Sequence, residues 1–396
     1  MQRTLLLSFV VSIAIFSRVL SPTAEAVQAQ DGITAESMGA RIAQIEGARY
    51  AFGTEAERTK LGEVAGYIHT QLDALGLSVD QDPVTYLGQT FPNVIGVLSG
   101  TVCPDTSFIV GAHYDTVGGS PGADDNGSGV AAMLEIARVI SNESLQPSIE
   151  FVGFSFEEQG LVGSQRMAAQ ARAAGKDIAG VIVLDMVGYT CSEPGCQSYP
   201  GGPLPPEAPN GGTFVAALGD SASVPLLNSF LQASAAAVPD LAVLRVSEQE
   251  DCEVPVPPAY CGFLQLGSDQ APFWEEGYQA LLLVDTAGYR NPNYHHPSDT
   301  LSSLDLSFAA DVANAALAAV VGAASADHDG DGLVDACGGP VGGVAELPEV
   351  AGALRETNSS SGVGAGVVAA VATPAAAGAV VLLATGAWYA RRRWLR

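Results

Sequence analysis

Phe108-Ile109-Val110-Gly111-Ala112-His113-Tyr114-Asp115, followed closely by Asp124-Asp125-Asn126-Gly127-Ser128-Gly129-Val130, decides how this chain reads. The first stretch is an apolar run of strand length that stops at a histidine and a carboxylate. The second is an acidic pair and a glycine-rich turn that opens the helical pattern Val130–Ile140. The same pattern recurs on both sides. Val94–Leu98, Phe108–Gly111, Ile149–Phe154, Val181–Leu184 and Leu281–Val284 are short, uninterrupted apolar runs, the signature of strands buried on both faces. Leu161–Ala174 and Val224–Ala237 carry helical spacing, and Ile42, Ile45, Leu61, Val64, Ile68 and Leu72 place two amphipathic helices in residues 31–76. Leu301–Ala324 reads as a last helix, and residues 192–212 and 246–270 read as loops. Strand alternating with helix predicts an α/β fold, a three-layer αβα sandwich around a mostly parallel central sheet.

Residues able to carry chemistry follow these strands, where open α/β sheets place their sites. A histidine that binds metal needs its neutral ring held in one tautomer, and Asp115, two residues after His113, can do the holding. Asp124 and Asp125 stand before the helix, where an aspartate can cap it or offer one oxygen to each of two metals. Glu157 and Glu158 close the Ile149–Phe154 run. Adjacent residues point in different directions, so one can bind metal while the other meets a reacting water. Asp185 ends Val181–Leu184, where an unpaired charge is costly and asks for a cation. His295 and His296 precede Pro297 and Asp299, and only one of the two histidines reaches a given metal easily.

Composition bounds the function classes. The chain has 396 residues with 43 Asp plus Glu against 17 Lys plus Arg, a formal charge of −26. No basic stripe exists to neutralise phosphates, which argues against nucleic acid as a partner. Residues 1–29 read as a signal peptide, with Arg3 before the apolar run Leu5–Phe16 and small residues after it. The spacings of Cys191 with Cys196 and of Cys252 with Cys261 suit local disulfides in an oxidising compartment, while Cys103 and Cys337 lack an obvious partner unless they pair with each other. Residues 338–362 have linker composition, residues 363–390 carry no charge and are long enough for a transmembrane or sorting helix, and the arginine-rich residues 391–396 form a basic cytoplasmic tail. These features predict an exported chain held at the membrane through its C-terminal helix, or released after C-terminal processing. One catalytic domain over residues 31–325, taken as monomeric, is the economical reading.

Taken together, these segments resemble the M28 family of zinc aminopeptidases, over roughly residues 60–320. The resemblance implies that His113 and Asp185 bind one zinc, that Glu158 and His295 bind another, and that Asp125 bridges them. It assigns Glu157 as the general base acting on a metal-activated water and Asp115 as the partner orienting His113. It selects Asp125 because that residue immediately precedes Asn-Gly, and His295 because it stands four residues before Asp299. The implied cofactors are two zinc ions, and the implied substrates are peptide or protein N-termini. Tyr260, in the second cysteine loop, is a candidate to assist the oxyanion. Glutaminyl cyclases resemble the same pattern with one zinc and are the alternative, and a non-catalytic ectodomain is a third reading. Separately, residues 327–337 carry Asp327, Asp329, Asp331 and Asp335 around Gly330 and Gly332, which resembles a thrombospondin type 3 calcium loop and predicts Ca2+ as a further cofactor.

Overall fold

The structure, a computed structural model, describes residues 32–201, 209, 211–248, 252 and 259–325. The expected signal peptide, calcium loop, linker, C-terminal helix and basic tail lie outside the described residues. Eight strands form one sheet: β1 (Ser78–Tyr86), β2 (Gln89–Leu98), β3 (Cys103–His113), β4 (Pro147–Phe154), β5 (Asp177–Leu184), β6 (Phe214–Gly219), β7 (Ala242–Ser247) and β8 (Ala280–Val284), in the order β1-β2-β4-β3-β5-β8-β6-β7. The central run β4-β3-β5-β8 is parallel, as is β6 with β7. β1 with β2, β2 with β4 and β6 with β8 are antiparallel. The expected mixed α/β fold with a mostly parallel sheet is therefore present.

Seven helices accompany the strands among the described residues: α1 (Ala35–Ile45), α2 (Glu55–Ala74), α3 (Gly129–Ile140), α4 (Val162–Ala174), α5 (Val224–Ala237), α6 (Ala271–Glu275) and α7 (Leu306–Ser325). Strand alternation assigns the layers. Phe108, Val110 and Ala112 of β3 join a core shared with α1, α2, α3, α5 and α7. Ile109 points the other way, into a second core with Phe154, Met167 and Ala168 of α4 and Phe273 of α6. Two capping boxes fix the N-termini of the first two helices. The Ser37 and Glu57 amides donate to Thr34 Oγ1 and Thr54 Oγ1 at 3.1 and 3.3 Å, and each side chain returns a bond to the cap's own amide.

Three strands differ from the sequence reading. β1 carries mostly exposed positions and β7 is the other edge, so neither presents an apolar run. β6 is buried throughout but is short and alanine-rich. The last helix begins later than Leu301: Leu301–Ser303 forms a separate 3-10 turn, Leu304 is extended, and Asp305 caps α7 by accepting from the Phe308 amide at 3.1 Å. α7 is long and apolar enough to cross a membrane by length and composition, yet about two-thirds of it is buried in the core. The disulfides Cys191–Cys196 and Cys252–Cys261 are both formed. Cys103 is disulfide-bonded as well, and Cys337 lies outside the described residues.

Gly129 joins the acidic turn to α3, where a Cβ would collide with the Leu184 carbonyl and the Asn126 side chain. Gly129→Ala is therefore expected to lower stability by about 1–3 kcal/mol, read as a lower urea midpoint at unchanged slope.

Candidate metal centre

The four parallel strands β4-β3-β5-β8 deliver one acidic or imidazole group after another to a single end of the sheet. His113 is the last residue of β3, the Glu157-Glu158 pair follows β4, Asp185 follows β5, and the segment from Asp285 to His295 follows β8. Asp125 comes from the turn between β3 and α3. This is the strand-end position where open α/β sheets hold their ligands.

Two donor groups result. His113, Asp125 and Asp185 each offer an atom within 4.8 Å of the others, and so do Asp125, Glu158 and His295. His113 Nε2 lies 3.4 Å from Asp125 Oδ1 and 3.3 Å from Asp185 Oδ1. His295 Nε2 lies 3.1 Å from Asp125 Oδ2 and 3.5 Å from Glu158 Oε2. Asp125 thus belongs to both groups with one oxygen toward each. Imidazole nitrogen and carboxylate oxygen together suit zinc.

The ambiguous neighbours separate in space. Asp124 turns away from the donors and is fully buried. Its Oδ1 accepts from the Gly188 amide at 2.9 Å and its Oδ2 from Asn291 Nδ2 at 2.7 Å. Both histidines are exposed, but His295 takes a left-handed φ of 62° and its ring stacks on Tyr294, with ring centroids 3.8 Å apart, and its Nε2 reaches Asp125 and Glu158. Glu157 stands outside both donor groups but lines the same cavity of about 240 Å³, together with Tyr294, Met186, Leu282 and Val284.

Asp115 acts differently from the simple expectation. Its Oδ1 is 3.7 Å from His113 Nδ1, longer than a hydrogen bond. Both of its oxygens instead accept backbone amides, from Glu157 at 3.1 Å and Glu158 at 3.2 Å. It therefore fixes the turn that carries both glutamates. Glu158 Oε1 accepts in turn from the Val117 amide at 3.1 Å. Tyr260 does not line the cavity; it packs half-buried against the second core, and Tyr294 is the tyrosine that faces the site.

Several residues of the centre carried no assignment in the sequence. Asp299, used there only to mark the motif, accepts from the amides of Asp124 and Asp125 at 2.9 and 3.1 Å. Arg49 is completely buried beneath the site and donates to the carbonyls of Tyr114, Pro121 and Gly122 at 2.6, 2.8 and 2.9 Å. Asp285 meets Asp124 carboxyl to carboxyl, with Arg290 nearby. Asp285 ends an apolar strand just as Asp185 does, so the signal that singled out Asp185 was present there too.

Electrostatics follow from burial. Burial pushes Glu157 well up, and Glu158, Asp185 and Asp269 add repulsion against a partial offset from His113. For His113 burial acts downward, but Asp185, Glu157 and the neighbouring carboxylates raise it well above its ordinary value. Without cations, the centre holds protons that a metal would displace.

A model of peptidase family M28 matches residues 93–320, more than half of the chain, and the chain belongs to that family. Protein YfbL of Escherichia coli (strain K12) is 30% identical over 257 residues, covering 62% of this chain and 75% of its own length. A leucine aminopeptidase 1 of Fusarium vanettenii is 26% identical over 56% of this chain, and the match spans 53% of that protein. In solved structures, the Legionella pneumophila LapA aminopeptidase aligns with a TM-score of 0.56 at 21% identity, covering 76% of this chain and 75% of that one. A Bacteroides thetaiotaomicron glutaminyl cyclase aligns at 0.52 and 17%, covering 73% and 98%.

The buried acids predict a pH dependence for protein stripped of divalent cations. Burial pushes Glu158, Asp269 and Asp299 each up to about 7, and the carboxylates around His295 push it up to about 10 against the downward effect of its partial desolvation. The folded chain then binds more protons than the unfolded chain, so stability falls as pH rises through this window. Asp125 is depressed, so its contribution is present above the usual carboxylate range and stays constant here. The melting temperature of chelator-treated protein should drop from about pH 5 to about pH 8. A flat or rising profile would contradict the electrostatic picture.

Proposed function

We propose that this M28 peptidase is an exported aminopeptidase that uses two zinc ions and removes N-terminal residues from peptides. The observation that carries the reading is the pair of donor groups sharing Asp125, with Glu157 facing the same cavity outside both. In this reading His113, Asp125 and Asp185 hold one ion and Asp125, Glu158 and His295 the other. Bound there, the ions supply Lewis acidity and lower the pKa of water. Glu157 accepts the proton of the attacking water and returns it to the leaving amine. The Tyr294 hydroxyl, whose pKa burial drives well up, stays protonated and donates to the oxygen of the scissile carbonyl as charge develops on it.

The cavity wall favours an amino-terminal substrate. It carries Asp125, Glu157, Glu158 and Asp185 and, among the described residues, no lysine or arginine. With the ligand carboxylates committed to the ions, no lysine or arginine remains in the lining, among the described residues, to pair with a C-terminal carboxylate, and the aminopeptidases among the similar proteins support the amino-terminal end. Met186, Leu282, Val284 and Ala287 supply an apolar floor for a side chain. The formed disulfides support export, because such bonds persist in oxidising compartments.

Glutaminyl cyclases share the fold, so fold similarity does not choose between cyclisation and hydrolysis. The second donor group favours hydrolysis. Glu157→Gln is expected to lower kcat for Leu-p-nitroanilide by about 10²–10⁴-fold while two zinc ions per chain remain bound. Tyr294→Phe should lower kcat by roughly 10²-fold. One zinc per chain with ammonia release from Gln-peptides, and no amide hydrolysis, would select the cyclase.

A further inference from the structure

We propose that Asp124 is a positioning residue shared by both metal sites, the point at which the ligand-bearing loops after β3, β5 and β8 are locked to one another. The proposal rests on the two-zinc reading above. Asp124 does not touch the cavity, and it has no accessible surface. Its contacts reach the loop after β5 and, at several points, the segment after β8. Oδ1 accepts from the Gly188 amide at 2.9 Å, three residues beyond Asp185. Oδ2 accepts from Asn291 Nδ2 at 2.7 Å, four residues before His295. Its carboxyl meets that of Asp285 at the end of β8, and its own amide donates to Asp299 Oδ1 at 2.9 Å. Its chain neighbour is Asp125, the residue common to both donor groups.

The partners are themselves fixed. Asp285 accepts from the amides of Tyr189 and Ala287 at 3.0 and 2.9 Å, tying the loop after β5 to the loop after β8 a second time. Arg290 donates from Nε to Gln197 Oε1 and from Nη1 to the Phe214 carbonyl, both at 2.8 Å, and so holds the last residue before Asn291. A carboxylate buried with its two oxygens committed to separate loops ties each of them independently to the turn that carries Asp125. The arrangement also has a direction. The Asn291 bond serves only the His295 side, whereas Asp124 serves both.

Selectivity separates this role from general structural support. Loss of ordinary packing lowers the stability of the whole domain and has no reason to discriminate between two adjacent donor groups that share Asp125. Removing an outer partner of a metal ligand typically weakens metal affinity about 10–100-fold. Asn291 Oδ1 accepts from the Asn293 amide at 2.9 Å; in Asn291→Ser the hydroxyl oxygen offers an acceptor for that turn, but the amide that reaches Asp124 is withdrawn. Asp124→Asn keeps the shape while replacing one acceptor oxygen with a donor that faces another N–H.

The test is zinc titration of the chelator-stripped full chain against a competing chelator, for wild type and both variants. Wild type should show two binding events. Asn291→Ser should keep one at wild-type affinity and weaken the other by about 10–100-fold, and Asp124→Asn should weaken both by that amount. Wild-type affinities at both sites in Asn291→Ser, or equal weakening of both, overturn the proposal. So do unchanged affinities in Asp124→Asn with wild-type circular dichroism. If Asp124→Asn does not fold, the Asn291→Ser titration decides alone. A wild type that takes up a single zinc would instead remove the two-zinc reading, and the proposal with it, a failure visible before any variant is compared.

Discussion

Negative charge concentrated at one end of the sheet is the constraint on which the rest depends. Asp115, Asp124, Asp125, Asp269, Asp285 and Asp299 are all buried there, with Glu157, Glu158 and Asp185 beside them. Removing an isolated carboxylate from water costs several kcal/mol even after the protein relaxes. His113, His295, Arg49 and Arg290 are too few to neutralise this set. Arg49 spends its hydrogen bonds on carbonyls rather than carboxylates. The remaining charge must be met by protons or cations. Cation binding at these residues is therefore coupled to the stability of the strand-end loops, and the cavity lining carries no lysine or arginine among the described residues.

The backbone around the centre is held in conformations that cost energy. Phe156, Met186, Thr286, Ala287 and His295 all have positive φ, at 57°, 57°, 80°, 49° and 62°. Each lies in a loop after β4, β5 or β8, within reach of a ligand or of Glu157. A non-glycine residue in this region costs roughly 1–2 kcal/mol. Such strain persists only where surrounding contacts over-determine the loop. The buried bonds of Asn126 show how this is done: its Nδ2 donates to the Leu184 carbonyl at 2.8 Å, and its Oδ1 accepts from the Gly129 and Met186 amides at 3.0 and 3.1 Å. The turn that presents Asp125 is thereby stitched to the end of β5 that presents Asp185.

What the sequence disclosed follows from the same physics. β2, β3, β4, β5 and β8 were legible because packing on both faces leaves apolar runs without polar interruption. β1 and β7 were not, since edge strands with exposed positions resemble loops, and Ala-rich β6 lacks the bulky branched residues that mark a strand. In the centre, the residue types and their order were readable, but adjacent pairs were not separable by spacing. Asp124 and Asp125, Glu157 and Glu158, and His295 and His296 differ only in direction, which is set by φ and by distant partners. Arg49 was not legible because, apart from Gly47 two residues back, the carbonyls it clamps lie 65 to 73 residues along the chain.

Asp115 illustrates how one residue can couple functions that the sequence assigns separately. Its distance from His113 excludes a direct hydrogen bond, so its hold on the imidazole is electrostatic, while its two firm bonds go to the consecutive amides of Glu157 and Glu158. Consecutive side chains diverge, so fixing both amides on one carboxylate fixes the angle between the two glutamates. One is then kept beside His295 and the other is kept free over the cavity. A rotation of this turn would carry Glu158 away from His295 and Glu157 out of the cavity. Asp115 opposes that rotation while holding its carboxylate 3.7 Å from the imidazole that ends β3, so the separate placements of Glu157 and Glu158 depend on a residue that lies outside both donor groups.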